Sequence, residues 1–166
     1  MDKPEGLTYD AWYLSLIDPI SKKSKDKTTK VGCVIVDQEN IPRCFGFNSF
    51  VRGINDNVPE RQERPLKYFY TEHAERSAIY QVARTGGCGL KGCHIYMDFL
   101  PCTDCARAII SVGIIEIIID GSTYEKKRIA WEERWKESMD HSKTMLREAG
   151  VKIRLYHPDG TSTFVE

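Results

Sequence analysis

"CHIYMDFLPCTDCARAIISVGIIEIIID", residues 93–120, decides how this chain folds. "CHIYMD" at 93–98 is a short β-branched and aromatic run and reads as a strand, and 114–120 reads as another. Between them Pro101 stands at the entrance of a helix expected over 102–112. Strand, helix and strand in succession imply parallel pairing through a right-handed crossover, hence an α/β domain.

The flanks extend the pattern. "EHAERSAIY" opens a helix over 72–84 that the glycines of "TGGCGL" terminate. Further back, "KVGCVIVD" and "IPRCFGFN" read as an antiparallel hairpin at 30–37 and 41–48, joined by "QEN". A first helix is expected over 8–24, capped by Thr8, with Trp12, Leu16 and Ile20 at spacing four and Pro19 kinking or interrupting it. Residues 49–70 read as loop. Downstream, "WEERWKESMDHSKTMLREAG" and "VKIRLYH" add one more helix and strand. The expectation is one three-layer α/β/α domain over 1–166, with a mixed sheet of about five strands.

Lysine plus arginine equal aspartate plus glutamate at 24 each, so no global basic field awaits a polynucleotide. The longest apolar run, "VGIIEIIID", is broken by Glu116 and too short to span a bilayer, and "MDKPEGLTYD" lacks the layout of a secretory signal. A cytoplasmic protein is expected. Its six cysteines then read as thiols or metal ligands rather than a disulfide framework.

Two segments carry chemistry, each where chain enters a helix. His73 and Glu75, two residues apart, share no helical face, so neither a salt bridge nor ordinary packing explains them. Cys102 and Cys105 sit one turn apart at a positive helix end, which favours thiolates. Alone, this Cys-x-x-Cys is ambiguous between structural zinc, a redox dithiol and coincidence. With His73 it supplies three zinc ligands and leaves a fourth position for water, beside which Glu75 can act as proton carrier.

"HAE" at 73–75 followed by "PCTDC" at 101–105 is the pattern of zinc nucleobase deaminases. From "KDKTTKVGCVIV" through "GFN", "EHAERSAIY" and "PCTDCARAIISVGI", the chain resembles the cytidine and deoxycytidylate deaminase superfamily, its phage and bacterial deoxycytidylate branch in particular. That branch commonly has asparagine where Ser77 stands. The resemblance implies a five-stranded sheet with helices on both faces and Zn2+ held by His73, Cys102 and Cys105. It also implies water attack at C4 of cytosine, with Glu75 protonating N3 and then the departing amine. Dimers or hexamers are common in the superfamily, and some nucleotide-level members respond to nucleoside triphosphates as effectors.

Substrate contacts are expected at Asn48, Arg52, Ala74 and Tyr124. Asn48, ending "GFN", matches an asparagine that contacts sugar and base, and that role is preferred to the plain alternative of a turn residue. Arg52 belongs with Arg61, Arg64 and Lys67 to a loop feeding the His73 helix, from which at least one cation is expected to meet phosphate; a solvated ion-paired loop is the plain alternative. Tyr124 in "DGSTYEKKR" resembles a tyrosine that closes the pocket, or is one amphipathic ring in a polar loop. Trp131, Trp135, Met139 and Leu146 step along the last helix and read as core or subunit face. Cys33 and Cys44 read as core; Cys88, Cys93 and His94 would form a second, structural zinc site only against the alternation of strand side chains.

The leading expectation is therefore hydrolytic deamination of dCMP, or a 5-substituted dCMP such as 5-methyl-dCMP, to dUMP or dTMP. Within the enzyme class the alternatives are a cytidine nucleoside, a tRNA adenosine or guanine. Outside it stands a non-catalytic zinc-stabilised binding module, in which Glu75 would be dispensable.

Overall fold

The computed structural model describes residues 6–165, with backbone alone at 131–133. Helix α1 (Tyr9–Ser21) begins as expected at Thr8, whose Oγ1 accepts the Ala11 amide at 3.2 Å. Pro19 lies inside it and the helix continues to Ser21. Its buried stripe is Tyr13, Ile17 and Ser21, one residue beyond the expected one, and leaves Trp12 42% exposed. Tyr13 wins the interior because its ring packs on Tyr96 at 5.0 Å while its hydroxyl donates to the Asn40 carbonyl.

Strands β1 (Gly32–Val36) and β2 (Pro42–Phe47) form the expected antiparallel hairpin, with a bulge between Ile35 and Val36. Residues 49–70 are more ordered than a loop. β3 (Ser49–Phe50) pairs with β4 (Thr71–Glu72), and a 3-10 turn (Pro59–Gln62) and short helix α2 (Lys67–Tyr70) lie between. Then follow α3 (Ala74–Thr85), β5 (His94–Met97), α4 (Thr103–Ser111), β6 (Glu116–Asp120), α5 (Gly121–Glu148), β7 (Lys152–Tyr156) and β8 (Ser162–Phe164). Gly86 ends α3 at φ 65°, a left-handed cap that costs glycine little.

The main sheet has the order β2-β1-β5-β6-β7-β8. β5, β6 and β7 are parallel, as the strand–helix–strand reading requires, while β1 and β2 and the last strand run antiparallel to their neighbours. The mixed sheet thus has six strands rather than five. The extra one, β8, is a three-residue exposed edge returning after a turn at His157–Gly160, too short to show a strand period. α5 also starts ten residues earlier than Trp131, because Asp120 is both the last residue of β6 and the helix cap, accepting the Ser122 and Thr123 amides. The stretch expected as a polar loop around Tyr124 is therefore helix.

Alternation along β1 separates the layers. Val34 and Val36 face α1 together with Tyr96 and Ile118, whereas Cys33 and Ile35 face the core shared with α3, α4 and α5. Gly46 lets α3 lie directly on β2: a Cβ there would stand 2.1 Å from the Ala74 carbonyl oxygen and 2.8 Å from the Ala78 nitrogen. Because backbone cannot yield as a flexible side chain does, Gly46→Ala is expected to cost about 3 kcal/mol or more, read as a lower urea midpoint.

Candidate active site

His73 and Cys102 occupy the cap positions of α3 and α4, each in extended conformation, and neither spends its side chain on its own helix. Both therefore turn toward the space between the two helix starts. Cys105, one turn into α4, completes the group: His73 Nδ1 lies 3.4 Å from Cys102 Sγ and 3.5 Å from Cys105 Sγ. All three donor atoms fall within 4.8 Å of one another, the one such trio among the described residues. Tetrahedral zinc at ordinary bond lengths would set nitrogen and sulfur about 3.6 Å apart, so the geometry fits the metal.

The electrostatics fit as well. Hydrogen bonding from Cys105, against burial and with help from His73, lowers the Cys102 thiol to about 4. Cys105 is pushed upward by its hydrogen bond with Cys102 and by burial. His73 is raised by its hydrogen bond to Cys102. Cys102 thus favours the thiolate form that a metal ion binds. Glu75, in the first turn of α3, is 5% exposed, and burial raises its carboxyl although His73 partly offsets this. A carboxylate shifted up in a cleft is suited to carrying a proton near neutral pH.

His73, Ala74, Glu75 and Cys102 open on a cavity of about 570 Å³, within the roughly 300–1,000 Å³ of small-molecule sites. Asn48 lines it too, though the fold uses most of its amide. Its Oδ1 accepts the Val31 amide at 2.8 Å, and its Nδ2 donates to the Thr29 carbonyl at 2.8 Å. Asn48 therefore braces the 26–31 wall. Beneath that wall Lys67 Nζ meets Asp26 Oδ2 at 2.8 Å and donates to Thr28 Oγ1. Burial raises the Asp26 carboxyl, but Lys67 and the Thr28 and Thr29 amides outweigh it and hold it below the usual value. Its stabilisation is complete above the unfolded carboxylate pKa near ~3.9 and is lost as pH falls through the lower folded value. Asp26→Asn should cost about 3 kcal/mol at neutral pH, and the gap in urea midpoint should close below about pH 4.

The expected loop cations separate. Arg64 and Lys67 line the cavity; Arg61 stacks over Tyr70 at 4.5 Å and donates to the Asn55 carbonyl. Arg52 is exposed and lines a different cavity of about 670 Å³, beside Tyr80 and Arg84. The β3–β4 pair turns it away from the donor trio. Tyr124 does not line the cavity either: it is 7% exposed, its ring 5.3 Å from Phe99, because α5 turns it into the core.

Conversely, Trp135 is not simply core. It lines the cavity with its ring 6.4 Å from His73 and 6.3 Å from Tyr68, and Arg134 joins it there. Met139 and Leu146 are buried as expected; the Trp131 side chain lies outside the described residues. Cys33 is buried, and Cys44 packs half-buried against the same core. Cys88, Cys93 and His94 do not converge: Cys88 accepts from Arg43, Cys93 is buried, and His94 meets Glu116 at 3.1 Å.

A mixed α/β sheet with two helix starts converging on one histidine and two thiols, beside a buried carboxylate, defines a zinc-binding deaminase. The chain belongs to the family of the cytidine and deoxycytidylate deaminase zinc-binding region, whose model it matches over residues 8–120. It is 33% identical to an uncharacterized deaminase from the luxG 3′ region of Aliivibrio fischeri, over 85% of this chain and 88% of that one. With human deoxycytidylate deaminase it shares 31% identity, over 94% of this chain and 84% of that one. The fold matches that of the dCMP deaminase of cyanophage S-TIM5, solved with dCMP and dUMP, at a TM-score of 0.65 and 20% identity over 92% of this chain and 98% of that one. No helix of the described residues is long and apolar enough to cross a membrane.

Proposed function

We propose that the protein hydrolyses the 4-amino group of dCMP, or of a 5-substituted dCMP, releasing ammonia and leaving dUMP or its analogue. The observation that carries this reading is the meeting, in one cavity, of His73 and Cys102 of the donor trio and of Glu75 with two arginines, Arg64 and Arg134. Neither guanidinium is in an ion pair among the described residues, whereas Lys67 is neutralised by Asp26. Two arginines in one cavity suit a phosphate dianion and give a nucleoside no advantage. The human and cyanophage relatives, both named for dCMP, support the same choice.

His73, Cys102 and Cys105 would hold a zinc ion, which when bound would supply the Lewis acidity that brings a water's pKa toward neutrality. Glu75 would take that water's first proton and deliver it to N3 of the base, then take the second from the hydroxyl added at C4 and give it to the departing amine as the C4–N bond breaks, so one carboxyl serves both directions. Ala74, between His73 and Glu75 in the chain, lines the same cavity. Asn48 holds the 26–31 wall, with one remaining lone pair on Oδ1 for a sugar hydroxyl. Six free cysteines fit a reducing cytoplasm, and we expect a homo-oligomer, a dimer or hexamer.

Ammonia release from dCMP, 5-methyl-dCMP, CMP, deoxycytidine, dCTP and guanine, with Glu75→Ala as control, tests the reading. Glu75-dependent turnover selective for a deoxynucleoside monophosphate supports it. Deoxycytidine turned over as fast as dCMP, or silence from zinc-loaded protein across the panel, overturns it.

A further inference from the structure

The family match ends at Asp120, and α5 begins at the next residue. That helix nonetheless walls the cavity with Ala130, Arg134, Trp135 and Met139. The Trp135 ring stands edge-on to the ring of His73, at 78°, and at 89° to Tyr68. A base whose amino-bearing carbon reaches the metal ligands shares the cavity with this Trp135 ring and with Tyr68. Trp135 is only partly buried, unlike the core-facing Met139, Ser142 and Leu146 of the same helix. Its neighbour Arg134 is exposed and shares the cavity with Arg64, from the segment before α2.

We propose that α5 is the specificity element of the site: Trp135 flanks the base, and Arg134, together with Arg64, receives the 5′-phosphate. The proposal rests on the nucleotide reading above and adds which residues enforce it. It separates two energies by residue. The indole contributes to any pyrimidine ligand, and the guanidinium only to a phosphorylated one. An aromatic wall tolerates every base face, so selectivity for the monophosphate falls on the arginines.

Calorimetric binding of dUMP and deoxyuridine to the zinc-loaded wild type, Arg134→Gln, Trp135→Ala and Trp135→Leu tests this, with zinc content and thermal midpoint measured for each. Arg134→Gln should weaken dUMP about tenfold or more and leave deoxyuridine unchanged. Trp135→Ala should weaken both ligands about tenfold with zinc retained, and Trp135→Leu, which keeps apolar volume beside His73, should weaken both for want of a flat face. The proposal is overturned if Arg134→Gln leaves dUMP binding intact or weakens both ligands equally, or if both Trp135 variants bind as wild type. Wild-type protein that binds neither ligand overturns the nucleotide reading and this proposal with it. Wild-type binding of dUMP with unmoved variants overturns the role of α5 alone.

Discussion

Glu75→Gln is expected to lower the rate of ammonia release from dCMP by about 10²–10⁴-fold while one zinc per chain remains bound. The amide matches the carboxylate in shape and fills the same buried position in the first turn of α3, so the packing of Ala74, Ala78 and Ile79 beside it need not change. What is lost is a group that can accept a proton and return it. The buried charge also disappears, and since burial already raises the Glu75 carboxyl, the variant should melt no lower than the wild type. Steady-state turnover, zinc content and the melting curve measured on one preparation decide it. Undiminished turnover would remove Glu75 from the chemistry and favour the binding-module alternative.

Metal removal should have the second largest effect, and on the fold rather than the rate alone. His73 leads α3 and Cys102 and Cys105 begin α4, so a zinc ion held by all three would tie together two helices otherwise joined by packing through residues such as Ala106 and Ile109. At a free zinc concentration a thousandfold above the dissociation constant, linkage contributes about 4 kcal/mol. For a chain of this length that is about 10 °C in thermal midpoint. Chelation should lower the midpoint by that amount, and readdition of zinc should restore it. Confirmed zinc loss with an unmoved midpoint would show that the ion does not bridge the helices.

The alternation of strand and helix over residues 93–156 was enough to establish the α/β class and the parallel run β5-β6-β7, because period and crossover handedness are local and general. The same holds for the donor set. His73, Cys102 and Cys105 stand at helix entrances that glycine, proline and spacing mark in one dimension, and only their convergence within 4.8 Å needed three. β8 and the early start of α5 were less legible, since one is too short to carry a period and the other is capped by a strand residue, Asp120.

The substrate-side wall divides in the same way. The loop arginines were visible as charges, yet which of them shares a cavity with His73 and Cys102 was not: Arg64 lines that cavity and Arg52 lines another. Trp135 carries no motif: at helical spacing an indole looks like core, and only the path of α5 brings it beside His73. Sequence by itself determined the fold class and singled out His73, Cys102 and Cys105 as candidate ligands with Glu75 beside them, because chemistry that needs fixed residue types leaves fixed spacings. The tertiary structure alone decided what surrounds the substrate, because a cavity wall requires only that some apolar or cationic side chain arrive there, from any distance along the chain.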